Sequence, residues 1–139
     1  MSKLAKLAAD VDKASRCYLY VPTGGRPPLA SPDGHHAWVD VLSLDSAAAA
    51  AQRRSTALAR LDKRAARISL EDLEAEQAEM LAVLIVDWHL IGLDGQAIDV
   101  PCAPETRREL VTEPTFAWIR RQLEEHVSDL GNFMRATTT

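Results

Sequence analysis

Residues 69–92 read SLEDLEAEQAEMLAVLIVDWHLIG, and this stretch decides the fold that the sequence predicts. Ser69 precedes Glu71 and Asp72, which is typical of a helix N-terminus: a short oxygen side chain accepts backbone protons, and acids complement the helix dipole. Gly92 suits the other end, because glycine takes the left-handed conformation that closes helices. Between them, large apolar residues recur at steps of three and four, which predicts one long amphipathic helix. These residues are Leu73, Met80, Leu81, Leu84, Ile85, Trp88 and Ile91.

A second helix is predicted immediately upstream, over residues 47–67. Asp45 or Ser46 can cap it, because either side chain accepts the free amide protons of a first turn. Seven of the 22 alanines of the chain lie between Ala47 and Ala59, so the helix begins with small side chains. Such a start suits close approach by a neighbouring element or a partner. The stripe expected to face inward consists of Leu58, Leu61, Ala65 and Ile68.

The N-terminal part of the chain has a different composition. Residues 1–13 have helical spacing but poor caps, so we expect an arm or a frayed helix there. Residues 17–21 and 37–42 are rich in aromatic and β-branched types and alternate in polarity, which predicts two antiparallel strands. Residues 22–36 hold four prolines and three glycines and are predicted to form an irregular loop. Residues 14–44 are therefore expected to form a two-stranded β-ribbon supported by the helices.

Two more helices are predicted in the C-terminal part. Pro104 suits the first turn of a helix over residues 104–110, because its missing amide proton would be unpaired there anyway. A last helix begins near Pro114 and ends near Gly131, with one apolar face. That face contains Phe116, Ile119, Leu123, Val127 and Leu130.

Together these elements predict a single domain over residues 1–139. The expected fold class is mainly α. A small helical part over residues 45–133 carries the N-terminal two-stranded β-ribbon, and residues 134–139 are expected to be a flexible tail.

Composition and charge exclude several classes of protein. A hydrophobic content of 47% and a net charge of −4 do not suit a wholly disordered chain. No apolar run approaches the roughly 18 residues of a membrane span. The segment after Lys3 and Lys6 lacks the unbroken apolar core of a signal peptide. Cys17 and Cys102 are far apart in sequence, which favours two free thiols in a reducing cytoplasm over one disulfide.

The sequence offers few groups for catalysis or metal binding. Asp33, His35 and His36 are the most metal-like group, but they lie in the loop without a second ligand cluster, which favours solvated side chains. Gly24 and Gly25 are not followed by the Lys-Ser/Thr pair of a phosphate-binding loop. We therefore expect no enzyme activity, no cofactor and no bound metal.

The charges are distributed unevenly over the two central helices. Residues 53–67 contain six basic residues and one acid, whereas residues 71–79 contain five acids and no base. In one interpretation the helices pack with complementary or solvated flanks. In the other, the basic helix with Arg53 and Arg54 binds an acidic partner or nucleic acid. The acidic net charge argues against nucleic acid. Trp118 lies two residues from the inward face and is expected to contact a neighbouring element or a partner.

An ordered set of short motifs runs along the chain. Trp88 is followed by an Asp-Gly-x-x-Ile loop at residues 94–98, and Asp45-Ser46 opens an arginine-bearing helix after a Pro-Thr-Gly loop at residues 22–24. The later motifs are Pro104-Glu105, Leu110, Pro114 and Asn132-Phe133. In this order they resemble the tail assembly chaperones of long-tailed, siphovirus-like bacteriophages, in which the Trp ends a helix.

The resemblance implies a non-enzymatic assembly factor in the cytoplasm of the infected host. Such proteins bind the long helical tape measure protein, keep it soluble and recruit tail tube subunits, and they are absent from the mature virion. Self-association along the helical rod is also implied, because multivalency makes weak single contacts sufficient. The residues expected to contact partners are Trp118, Phe133, Arg26, Arg53 and Arg54. No membrane partner is expected.

Two other functions stay open at this point. The ribbon and its loop suit the insertion arm of a structural virion component, such as a minor tail or head-completion protein. The basic residues between Arg53 and Arg67 suit a small regulator that binds nucleic acid.

Overall fold

The computed structural model describes residues 3–25, 27–62 and 67–134. Within these ranges, four α-helices pack with a four-stranded antiparallel sheet, so the fold is α+β. The prediction of a mainly helical domain with a two-stranded ribbon is therefore wrong. The two ribbon strands are present, but two further strands from the expected helical part extend them into a sheet.

The sheet contains its strands in sequence order, β1-β2-β3-β4. The strands are β1 (Ser15–Tyr18), β2 (Trp38–Val41), β3 (Ile85–Ile91) and β4 (Ala97–Ile98). The α-helices are α1 (Ala47–Asp62), α2 (Leu70–Leu84), α3 (Pro104–Thr112) and α4 (Ala117–Ser128). Short 3-10 turns occupy Lys3–Leu7, Pro114–Phe116 and Leu130–Phe133.

Helix α2 begins as predicted but ends seven residues early. Ser69 caps it in a capping box with Asp72, in which each side chain accepts the other residue's backbone N–H at 3.1 Å. The helix ends at Leu84, and Ile85 has extended dihedral angles of φ −74° and ψ 126°. The rest of the expected helix is strand β3, so the prediction of a Trp88-ended helix, including the one implied by the family resemblance, is wrong.

The burial pattern of β3 explains why its sequence imitates a helix. Ile85, Trp88 and Ile91 are buried, at a three-residue spacing that is typical of helices. A regular strand buries alternate residues. The register of β3 with β2 shifts between Asp40 and Val41 of β2, an irregularity of the β-bulge kind that puts Ile85 and Trp88 on one face, opposite the buried Val41 and Val39. The pairing with β2 therefore decides the structure of this segment against its apparent helical period.

The first two strands pair antiparallel, as predicted, but the first strand lies at residues 15–18 instead of 17–21, opposite residues 38–41. The loop that joins them is more ordered than expected. An antiparallel bridge joins Tyr20 to Pro28, and Leu29 is buried, where its N–H donates to the carbonyl oxygen of Leu19 at 2.9 Å. This loop therefore contributes a side chain to the core as well as a connection.

Helix α1 begins at the predicted place, with two acceptors at its N-terminus. The Oγ of Ser46 accepts the N–H of Ala49 at 3.2 Å. The N-terminal arm supplies the second acceptor, since Oδ1 of Asp12 accepts the N–H of Ala47 at 2.7 Å. The arm is thus attached to the helical part at Asp12, although its first turn, Lys3–Leu7, buries no residue.

The core lies where the sheet meets α2 and α4, and α3 packs against both of these helices. Helix α4 buries Ile119, Leu123 and Val127, as its periodicity predicts, whereas Leu130 at the end of that predicted face is exposed. Trp88 is buried, and its indole Nε1–H donates to the carbonyl oxygen of Val100 at 2.9 Å. Among the described residues, no helix is both long enough and apolar enough to cross a bilayer.

Candidate protein-binding surface

Helix α1 contributes little to the core. All of its 16 residues are described, and Ala49 alone is buried. The stripe that was expected to face inward lies in solvent: Leu58 is 63% exposed, Leu61 is 72% exposed, and Ile68 beyond the helix is also exposed. Ala65 falls outside the described residues. The inward stripe predicted for this helix is therefore wrong, because α1 turns a different side toward α2.

Helices α1 and α2 run in opposite directions and are joined by an ion pair. Just before α1, the N–H of Leu42 donates to the carbonyl oxygen of Leu84 at the end of α2, at 2.9 Å. Toward the other end, Nε of Arg60 donates to Oε2 of Glu76 at 2.9 Å, and a second guanidinium nitrogen contacts Oε1. The basic and the acidic helix thus meet here, as one interpretation of the charge pattern predicts.

A groove of about 590 Å³ opens between α1, α2 and α4. The large apolar side chains that line it are Leu44, Leu73, Met80, Leu81, Leu84 and Val127. Its charged lining residues are Arg53, Arg60, Glu76 and Glu124. An apolar lining bordered by charges of both signs suits an amphipathic protein segment, whose apolar side chains enter the groove while its polar side stays in water.

Exposed leucines lie at the end of the helix pair where α1 ends and α2 begins. Leu58 and Leu61 belong to α1, and Leu70, which is 71% exposed, and Leu73 belong to α2. Single exposed leucines are normal, but a group of them beside an apolar groove marks an interaction surface. We call these four leucines together with the groove the α1–α2 surface.

One of the residues expected to contact partners lies on this surface, and a second lies beside it. Arg53 lines the groove, and its guanidinium donates to the carbonyl oxygen of Leu44. Arg54 is exposed on the outer side of α1, one helical turn before Leu58. The sequence-based selection of these arginines therefore falls on the region that the structure leaves accessible.

The other expected contact residues lie elsewhere. Trp118, at the start of α4, is half-buried and packs against the core. Phe133 is buried, with its ring 6.0 Å from that of His126, so its side chain is not accessible to a partner in this structure. Arg26 falls outside the described residues. The exposed leucines are not among the expected contact residues, because the spacing of Leu58 and Leu61 predicts an inward face.

The metal-like group expected from the sequence and the two cysteines lie apart from the α1–α2 surface. Asp33 and His35 form an exposed pair at 3.5 Å, and a hydrogen bond from Ser31 lowers the pKa of the Asp33 carboxyl. Across residues 3–25, 27–62 and 67–134, no three His, Cys, Asp or Glu side chains are grouped to hold a metal. Burial raises the pKa of the Cys17 thiol to about 11 and also raises that of Cys102, which keeps both free thiols protonated near neutral pH.

The outer face of the sheet is a second exposed region with aromatic and charged side chains. The guanidinium of Arg16 lies 3.7 Å from the centroid of the Trp38 ring, and its Nε donates to Oδ1 of Asp40 at 3.0 Å. The hydrogen bond with Asp40 raises the pKa of Arg16. Because these groups satisfy one another, the outer face is a weaker candidate for binding than the α1–α2 surface.

The chain was compared with protein-family models, with curated proteins and with solved structures, and none of them matches. The α1–α2 surface is therefore the feature of the molecule that bears on its function. Two helices there present leucines and an apolar groove with charged residues in its lining to solvent, an arrangement suited to binding a segment of another protein.

Proposed function

We propose that this protein is a non-enzymatic tail assembly chaperone of a long-tailed bacteriophage, which binds the tape measure protein and recruits tail tube subunits. One observation carries the proposal: the α1–α2 surface exposes Leu58, Leu61 and Leu70 beside an apolar groove. The order of motifs along the chain suggests the family, and this surface supplies a place where a helical partner would bind.

The size of the surface is consistent with a protein that binds its partner reversibly and later dissociates from it. Complete burial of one leucine side chain contributes about 1.5–3 kcal/mol. Association of two proteins costs about 4–15 kcal/mol in lost freedom, so a few leucines support only weak binding by one copy. Many copies along one long partner would bind together through multivalency, and each weak contact would be displaced easily as the tail tube grows.

Recruitment of a second partner requires a second face, and α1 has two. Arg53, Ala57 and Arg60 line the groove on one side of the helix. Leu58 and Leu61 lie in solvent away from that lining. A helix with two accessible sides supports a role in which one partner is held while another is brought to it.

Coexpression with a long helical fragment of a tape measure protein tests the proposal. We expect the full chain to copurify with the fragment and to raise its soluble fraction. The double variant Leu58→Asp/Leu61→Asp should lose both effects, because charges replace the apolar contact. Leu93→Asp is the matched control: Leu93 is 74% exposed but lies between β3 and β4, so this variant should behave like the unchanged chain.

A fragment that neither copurifies nor becomes more soluble would contradict the proposal.

The second test concerns location, since the protein is proposed to act in the host cytoplasm and to be absent from the mature virion. Mass spectrometry of purified particles should find no peptides of this chain. Stoichiometric peptides in mature particles would instead favour a permanent virion subunit.

A further inference from the structure

The outer side of α1 carries a regular stripe of residues. Its members alternate at steps of four and three, the spacing of the a and d positions of a coiled coil. All five are exposed. At about 1.5 Å per residue the stripe is roughly 21 Å long, or four helical turns. The stripe, called here the α1 stripe, consists of Ala47, Ala51, Arg54, Leu58 and Leu61.

Most of the residues beside the α1 stripe are small, with Asp62 at its leucine end as the exception, which matters for what can pack there. Ala50, Ser55 and Ala57 occupy flanking positions of the heptad pattern. Small flanks let the backbone of a second helix approach closely, whereas long charged flanks would hold it away. The stripe therefore has both the spacing and the shape to receive one α-helix.

Arg54 is the charged member of the α1 stripe, and it differs from its neighbours on the helix. Arg60 is paired with Glu76, and Arg53 donates to the carbonyl oxygen of Leu44. Arg54 makes no ion pair or hydrogen bond with any residue that the structure describes. A helix that covered the stripe would partly desolvate this guanidinium. The complex would then need an acceptor for it, and a carboxylate provides the best match.

The position of Arg54 also argues against a second copy of α1 as the occupant. It is the third of the five stripe residues and falls at a d position, so a parallel, in-register pair of α1 helices would place Arg54 opposite Arg54. Two like charges at the centre of an apolar contact repel each other. An antiparallel pair would place it opposite Ala51 or Leu58, whose side chains accept no hydrogen bond. A second α1 stripe therefore offers no carboxylate to Arg54, and the better match is a different helix with an acid at the matching position.

Building on the proposed function, we propose that the α1 stripe docks one amphipathic α-helix of another protein. That helix carries large apolar residues at heptad spacing and a Glu or Asp opposite Arg54. The leucine end of the stripe supplies the apolar contact, and the arginine fixes the register by rejecting a partner without the acid.

Two synthetic 21-residue helical peptides serve as probes. Both have leucine at every a and d position except one central d position, which is Glu in one peptide and Lys in the other. Fluorescence anisotropy with the full chain at about physiological salt should show at least about tenfold tighter binding of the Glu peptide. Arg54→Glu should reverse the preference. Leu58→Asp should abolish binding of both peptides, while the Leu93→Asp control should bind like the unchanged chain.

Equal affinity for the two peptides, or a preference that survives Arg54→Glu, would overturn the inference. Sedimentation equilibrium adds a further check: a dimer of the chain that Leu58→Asp dissociates would show that a second copy covers the stripe. Circular dichroism of each variant verifies folding, and Arg54→Glu tests the inference even if Leu58→Asp were misfolded, since Arg54 is an exposed residue without a described partner.

The peptide and the tape measure experiments separate the two proposals. Arg54-dependent peptide binding without binding of any tape measure fragment would support the docking helix and contradict the chaperone function. Binding of the fragment that is unaffected by Arg54→Glu and Leu58→Asp would leave the chaperone function standing and overturn the docking helix.

Discussion

Helices α1 and α4 have apolar residues at helical spacing, yet they use them in opposite ways. Helix α4 has 12 residues and buries Ile119, Leu123 and Val127 against the rest of the chain. Helix α1 has 16 residues and buries only Ala49. The longer helix therefore adds less to the core than the shorter one, and its leucines remain available to a partner.

This difference separates the apolar residues that stabilise the fold from those that are available to bind a partner. Helix α4 is held by side-chain burial. Helix α1 buries only Ala49, and its polar contacts include the N-terminal acceptors Ser46 and Asp12 and the Arg60–Glu76 ion pair. An element with few buried contacts opens and adapts more readily than the core, which suits a segment that binds and releases another protein.

The largest effect on stability is expected at Leu123, which is completely buried in α4. We expect Leu123→Ala to lower the free energy of unfolding by about 2–5 kcal/mol, because it removes buried methyl groups and leaves a cavity. Urea denaturation followed by circular dichroism measures this. A loss below about 1 kcal/mol would mean that α4 is not the structural helix of the pair.

A smaller effect is expected at the cap of α1. Ser46→Ala removes the acceptor for the N–H of Ala49, so the free energy of unfolding should fall by about 1 kcal/mol. Amide hydrogen exchange should accelerate more in the first turn of α1 than in α4. Ser128→Ala is the control, since that hydroxyl donates to a carbonyl near the end of α4 and caps no N-terminus. Equal acceleration in both helices would show that α1 does not unfold separately.

Acidification should weaken the α4 side of the molecule through His126. Burial lowers the pKa of this imidazole, an effect that Asp129 partly opposes, and Nε2 lies 2.9 Å from Oγ of Ser15. The unfolded chain takes up this proton at a higher pH than the folded protein does. The contribution of His126 to stability is therefore constant above about pH 6.5, and it falls as the pH drops from there toward the lower pKa of the folded imidazole. Urea unfolding at several pH values should show the decline, and His126→Gln should reduce it. If the variant loses as much stability on acidification as the unchanged chain, other groups cause the loss.

The smallest effect on stability is expected at Leu58. Because this side chain is mostly in solvent, Leu58→Ala should change the free energy of unfolding by no more than about 0.5 kcal/mol. The same substitution should weaken binding of the helical partner, so urea denaturation and a binding assay on one sample test the contrast with Leu123. A stability loss as large as that of Leu123→Ala would show that Leu58 is covered in solution.

Much of the local structure could be predicted from short-range signals. The caps at Ser46 and Ser69 occur where predicted, since a cap depends on residues within three positions of one another. The buried face of α4 follows its periodicity, and the first two strands follow their alternation. Of the candidate site, the sequence indicated Arg53 and Arg54 through the charge pattern, but it misassigned Leu58.

The sequence by itself determined where α1, α2 and α3 begin, that two N-terminal segments form the first two antiparallel strands, and that a basic helix precedes an acidic one. Only the tertiary structure decided that residues 85–91 form β3, because their hydrogen bonds come from β2, more than forty positions away in the chain. It also decided which side of α1 faces α2. Apolar spacing shows that a helix has a face to bury, but whether this chain or a partner covers that face depends on the packing of the whole molecule.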